Sequence, residues 1–267
     1  MKANAGTLNS PTGCESSRER PDLQRQKLKG KAKILKDIIK EKKIYPVYQP
    51  IINLTDNSVY GYEALSRVST DTDFNIEQLF CLSEELGMVW ELEELCRKRA
   101  LRNAINKPAG TKLFLNVNPN VLLDKKFESG ITSKFIEKYK LQPEDIVFEI
   151  TERTPIQSKS LFKKVLRHYT EQGYTVAIDD FGSAYAGLDR LCNIKPAFLK
   201  LDASLIRNIE VDDVKKSLVK HMIQFCNETS IKVIAEGIET EIEAGIIKDL
   251  GADFVQGYYF AKPSERF

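Results

Sequence analysis

The chain is poor in the residues that many function classes depend on. Its 267 residues include 2 His, 1 Trp and 5 Cys. The cysteines, Cys14, Cys81, Cys96, Cys192 and Cys226, are odd in number and never form a CxxC pair. That pattern argues against a disulfide framework or a thiolate zinc site and is read as reduced thiols in the cytoplasm. His168 and His221 both fall in helical stretches and are expected at the surface, so no histidine-centred site is in view. No run of 18 apolar residues occurs, and the first twenty residues lack the apolar stretch of a secretory signal. No membrane span is expected. The chain also has no GxGxxG, no Walker A loop, and no histidine followed by Arg-Asp. The triplet Asp180-Phe181-Gly182 is therefore not the magnesium-binding triplet of a protein kinase.

What is present is an ordinary globular composition, 42% hydrophobic and 29% charged, on a chain long enough for one large core. The charge is uneven. Residues 1–43 hold 12 Lys/Arg against 5 Asp/Glu, leaving 28 against 33 in the remainder. The basic arm is read as a solvated linker, and the acidic body argues against a DNA or RNA groove while suiting divalent cations. Residues 1–27 are polar, without apolar periodicity, and are expected to be a disordered tail. From Leu28 the apolar spacing predicts an amphipathic helix ending near Lys43.

Eight short β-rich runs follow, at 47–52, 59–65, 112–117, 146–151, 175–180, 198–202, 232–237 and 254–260. Helical patterns lie between the later ones, at Ile76–Leu86, Trp90–Ile105, Thr132–Tyr139, Lys159–Gln172, Val214–Thr229 and Glu241–Leu250. That alternation indicates parallel βα units, and eight strands suggest a barrel. The first two runs are joined by NLTDNS alone, too short for a crossover helix, so they must pair antiparallel. The expected fold is α/β, a (β/α)8 TIM-like barrel whose first strand runs backwards. An open doubly wound sheet is the alternative that periodicity leaves standing.

Polar residues recur near the ends of these strands: Glu63, Asn116, Glu149, Asp179 with Asp180, Lys200, Glu236 and Gln256. A single acid there could cap the next helix. Seven strands each carrying a polar group toward one rim points to chemistry instead, because buried carboxylates are costly without cations. An all-oxygen donor set of Glu63, Asn116, Glu149, Asp179, Asp180 and Glu236 selects magnesium or manganese over zinc. Two adjacent aspartates can share two ions, the arrangement that clamps an in-line phosphoryl displacement. Lys200 would supply a positive charge beside the nucleophilic water. An enolase-like barrel using Lys200 as a base is a weaker fit to the paired aspartates and Arg67.

The segments YQPII, YEALSR, LFLNVNP, FEITER, AIDDFG, LKLD, IAEGIET and QGYYFAKP occur in this order. Together they resemble the EAL-domain proteins, bacterial phosphodiesterases acting on cyclic di-GMP, over about residues 28–267. The resemblance implies a first metal site of Glu63, Asn116, Glu149 and Asp179, and a second at Asp179 and Asp180. Lys200, Glu236 and Glu63 would form the catalytic set, with Lys200 orienting the water and Glu236 near that water and the metals. Gln49, Leu65, Arg67, Asp202, Glu239 and Gln256 would contact or position the dinucleotide, and Arg67 can grip phosphate with two prongs. Glu152 would steady the loop 181–188, which in the family links catalysis to dimer contacts. The product would be linear pGpG. A homodimer, and a sensor or regulatory partner recruited by the N-terminal arm, are further implications. One position departs from the family pattern: Ala184 stands where a glycine is common. A φ above zero there would strain the loop by about 1 kcal/mol or more. That departure keeps a second possibility, a weak or inactive EAL domain serving as a cyclic di-GMP receptor.

Overall fold

The structure, a computed structural model, describes residues 21–69, 74–151, 159–183, 191 and 195–267. Residues 1–20, Glu152 and Ala184 lie outside them, and so do the expectations placed on those residues. The first helix, α1, spans Pro21–Glu41. It begins seven residues before the apolar periodicity at Leu28, with a proline in its first turn, where the missing N–H costs no helical bond.

Eight strands close into a barrel in sequence order. They are β1 Ile44–Asn53, β2 Val59–Val68, β3 Lys112–Val117, β4 Ile146–Thr151, β5 Thr175–Phe181, β6 Phe198–Leu201, β7 Lys232–Ala235 and β8 Phe254–Val255. β1 pairs antiparallel with both β2 and β8, and every other pairing is parallel. The reversed first strand expected from NLTDNS is present, and closure excludes the open sheet. The helices α2 Ile76–Leu86, α3 Val89–Asn103, α4 Ile131–Tyr139, α5 Lys159–Thr170, α6 Ala203–Ile206, α7 Asp213–Glu228 and α8 Glu241–Asp249 connect the strands. Their ends are written locally. Asn75 with Gln78, and Thr240 with Glu243, form reciprocal caps that start α2 and α8.

The barrel interior has two layers. The lower one is apolar, with Ile51, Phe114, Val147, Ala177, Phe198, Ile234 and Phe254 packed in one buried cluster. Side chains alternate along a strand, so two positions further along each parallel strand also faces inward. Those positions are Asn116, Glu149, Asp179, Lys200, Glu236 and Gln256. Because β1 runs backwards, its polar residue, Gln49, precedes Ile51 by two. On β2 the position below Glu63 is Gly61, where a Cβ would lie 3.0 Å from the Phe114 ring. The outward faces of the strands pack under the helices through residues such as Leu115, Phe148, Val176, Leu199 and Val233.

Two further sequence expectations need correction. The last strand was expected over 254–260 but ends at Val255. Beyond it the Ile238 N–H donates to the Gln256 carbonyl and the Tyr259 N–H to the Ile238 carbonyl, so the chain folds onto the β7–α8 loop. His168 was expected at the surface, but it is half-buried with its ring 5.3 Å from that of Phe127.

Gly257 makes the turn after β8 possible, since a Cβ there would lie 2.0 Å from the Ile238 carbonyl oxygen. Gly257→Ala is expected to destabilise the fold by about 1–3 kcal/mol, the usual cost of overpacking, read as a lowered urea midpoint.

Candidate active site

Lys200 organises the upper layer. It is 0% exposed, and its Nζ lies 2.6 Å from Glu149 Oε1, 2.9 Å from Glu236 Oε1, 3.0 Å from Asp179 Oδ1 and 3.2 Å from Glu63 Oε2. These carboxylates come from β4, the end of β7, β5 and β2, so one ammonium ties together four strands around the barrel. Burial pushes the lysine toward neutrality, but the four acids outweigh it and hold its pKa well above the usual value.

The acids differ among themselves. Burial raises Glu63, yet Lys200 and hydrogen bonds from Gln256 and Asn116 bring it below its ordinary value. The donors are Gln256 Nε2 at 2.8 Å and Asn116 Nδ2 at 2.9 Å. Burial and repulsion from Glu63 and Asp179 hold Glu149 well above the carboxylate range. Glu236 is raised by burial and by the same two neighbours. Gln256 also donates to Gln49 Oε1 at 3.1 Å, and Gln49 donates to the Ala261 carbonyl at 3.2 Å, which ties β1 to the segment after β8 beside the site.

Asp179 and Asp180 are neighbours, and on a regular strand they would face opposite sides. The β5–β6 register breaks between Ile178 and Phe181, and Asp180 sits in the left-handed region with φ 56°. That break turns both carboxylates to one place, and Thr151 Oγ1 donates to Asp180 Oδ2 at 3.0 Å. Gly182 follows at φ 100°, where a Cβ would lie 2.4 Å from Leu205 Cδ1.

Among the described residues two groups of acids could hold a metal: Glu63, Glu149 and Asp179, and Asp179, Asp180 and Glu236, each with ligand atoms within 4.8 Å of one another. Asp179 belongs to both. The donors fit magnesium or manganese, being all oxygen. Glu149 Oε2 is also buried without a hydrogen-bond donor among the described residues, as an oxygen meant for a cation would be.

Above this layer opens a cleft of about 900 Å³. Gln49, Glu63, Leu65, Arg67, Asn116, Asp179, Asp180, Glu236, Glu239 and Gln256 all line it. Glu149 and Lys200 lie beneath it, fully buried. Asp202 stands apart from the cleft wall and caps α6 by accepting from the Ser204 N–H at 2.8 Å. Sequence reasoning missed Arg207, which lines the cleft, bonds Glu239 and lies 3.8 Å from Glu243 Oε2. It also missed Glu93 and Arg97, which lie in a helix where a charged pair looks like any surface pair.

A closed α/β barrel with its ionisable groups gathered at the C-terminal strand ends has the layout of TIM-barrel enzymes. Residues 32–263 match the family model described as EAL domain, and the chain belongs to that family. It is 27% identical over 236 residues to the probable cyclic di-GMP phosphodiesterase PdeG of Escherichia coli, across 86% of this chain and 46% of that protein. The chain thus spans less than half of that relative. A standalone EAL protein of Vibrio cholerae in its c-di-GMP-bound form shares 29% identity at a TM-score of 0.72, over 84% of this chain and 93% of the other. The Klebsiella pneumoniae BlrP1 manganese/cy-diGMP complex at pH 6 shares 27% identity at a TM-score of 0.77, over 84% and 57%. No described helix is long and apolar enough to cross a membrane.

Removing the Lys200 cation would leave four carboxylates facing one another, three of them buried. Lys200→Met is expected to destabilise the metal-free protein by about 3–5 kcal/mol, the usual cost of breaking a buried ion pair. Manganese should restore part of that loss. Thermal unfolding in chelator and in manganese checks both statements.

Proposed function

We propose that this chain is a metal-dependent phosphodiesterase that hydrolyses cyclic di-GMP to linear pGpG, using two magnesium or manganese ions. The observation that carries the reading is the shared position of Asp179 between two acidic groups, one of which includes adjacent Asp180. Glu63, Asn116, Glu149 and Asp179 would hold one ion, and Asp179, Asp180 and Glu236 the other. Bound there, the pair would supply an activated water and neutralise charge on the scissile phosphate.

The chain's own groups do the rest. Lys200, anchored by four acids just beneath the cleft, would hold a fixed positive charge next to the attacking oxygen. Glu236, 2.9 Å from Lys200 Nζ and on the cleft wall, is positioned to take the water's proton. Arg67, half-buried on the cleft wall, offers its guanidinium to a phosphate. Gln49, Leu65, Glu239 and Gln256 line the space that a dinucleotide would fill, and Asp202 fixes the β6–α6 corner. The manganese and c-di-GMP complexes of the similar proteins support this reading. By family resemblance we also propose a homodimer, Glu152 as a support for the loop after β5, and a regulatory partner reached through the N-terminal arm.

Purified protein mixed with cyclic di-GMP and either metal is expected to release pGpG, detected by chromatography, and chelator should stop the reaction. Binding of the dinucleotide without hydrolysis under both metals would instead favour the receptor reading that Ala184 suggests. Asp179→Asn is expected to lower kcat by at least ~10²-fold, the lower bound for losing one preorganised electrostatic group, with the far-ultraviolet circular dichroism unchanged. Arg67→Ala should act mainly on KM, because its contact is made to the substrate before reaction.

A further inference from the structure

Glu93 and Arg97 form an ion pair one turn apart on α3, with exposures of 2% and 4%. Arg97 reaches three other elements. Its Nη1 donates to Thr132 Oγ1 on α4 at 2.8 Å, and its Nη2 to the Tyr169 hydroxyl on α5 at 3.1 Å. Its guanidinium lies 5.2 Å from the ring centre of Phe148, the residue before Glu149. Glu93 bonds Arg97 with Oε1 and uses Oε2 to accept the Asn118 backbone N–H at 3.0 Å. That N–H lies beyond the last β3–β4 pair, Val117 with Ile150, so no ladder partner takes it. Asn118 is held from its side chain as well, accepting from the Asn120 N–H at 2.9 Å and donating to Glu84 at 2.8 Å. Two residues earlier on the same side of the strand stands Asn116.

A buried ion pair is weak as a stabilising device, because well-packed apolar residues of the same volume usually serve as well. Here Glu93 does a task that apolar residues cannot, accepting the Asn118 backbone N–H. We infer that the Glu93–Arg97 pair is a positioning strut that fixes the end of β3, and with it Asn116, for metal binding. The inference rests on the two-metal reading above. Asn116 is the one amide among the candidate ligands, its oxygen carries no net charge, and its usefulness depends on being held in place. Partners that orient a ligand in this way are typically worth 10–100-fold in metal affinity.

The test is manganese titration of the full chain, with free ion read by electron paramagnetic resonance and folding read by thermal unfolding. The double variant Glu93→Leu with Arg97→Met replaces the strut by apolar volume. It is expected to melt within a few degrees of the unsubstituted protein yet bind manganese about 10-fold or more weakly. A purely structural pair would shift the melting temperature and leave affinity alone, so wild-type affinity in the folded double variant overturns the inference. Should that variant unfold, Glu93→Gln is read in the same titration. Its amide can satisfy only one of the two donors it faces, so affinity should again fall, and unchanged affinity would again overturn the strut. Absence of manganese binding by the unsubstituted chain would overturn the metal reading and the inference together.

Discussion

One buried lysine sets the terms for everything above the barrel's apolar floor. Lys200 Nζ lies within 3.2 Å of carboxylate oxygens from four strands. A lone ammonium at that depth would lose its proton, and four carboxylates there without a cation would hold theirs. Together they keep Lys200 protonated and favour ionised Glu63, while Glu149 and Glu236 hold their protons more tightly than exposed acids do. The cost of dehydrating them is met by the closed barrel beneath and by neutral amides, Asn116 and Gln256, which both donate to Glu63.

The same arrangement explains the barrel's two-layer interior. Apolar side chains fill the lower layer and polar ones the upper, offset by two residues on each parallel strand. The antiparallel β1 obeys the rule in reverse order, placing Gln49 in the layer with Glu63 and Gln256. The polar layer is thus held by the same strand pairing that closes the core. The β5–β6 register yields at Asp180, where two neighbouring carboxylates must face the same way.

Much of this was legible in the chain. The strand-helix rhythm, the short NLTDNS connection and the polar residues at strand ends all follow from local patterns, and the boundaries of α2, β3 and β4 coincide with the expectation. Where reading failed, the cause was distant. β8 stops early because Ile238, eighteen residues before Gln256, captures its backbone. Glu93 and Arg97 look like an exposed helical pair, and only the packing of α3 against β1, α4 and β3, with Tyr169 of α5 over Arg97, makes them buried.

The sequence by itself determined the order of the elements, the reversal of the first strand, and the identity of the groups available at the rim. These rest on nearest-neighbour physics: side-chain alternation, connection length and helix periodicity. The tertiary structure decided that Lys200 sits at the centre of the acids, that Asp179 and Asp180 converge, and that Arg207 and the Glu93–Arg97 pair reach the cleft. Those outcomes depend on closing eight strands into one ring. Closure brings residues more than a hundred positions apart, such as Glu63 and Lys200, into contact, and no local pattern carries a distance of that kind.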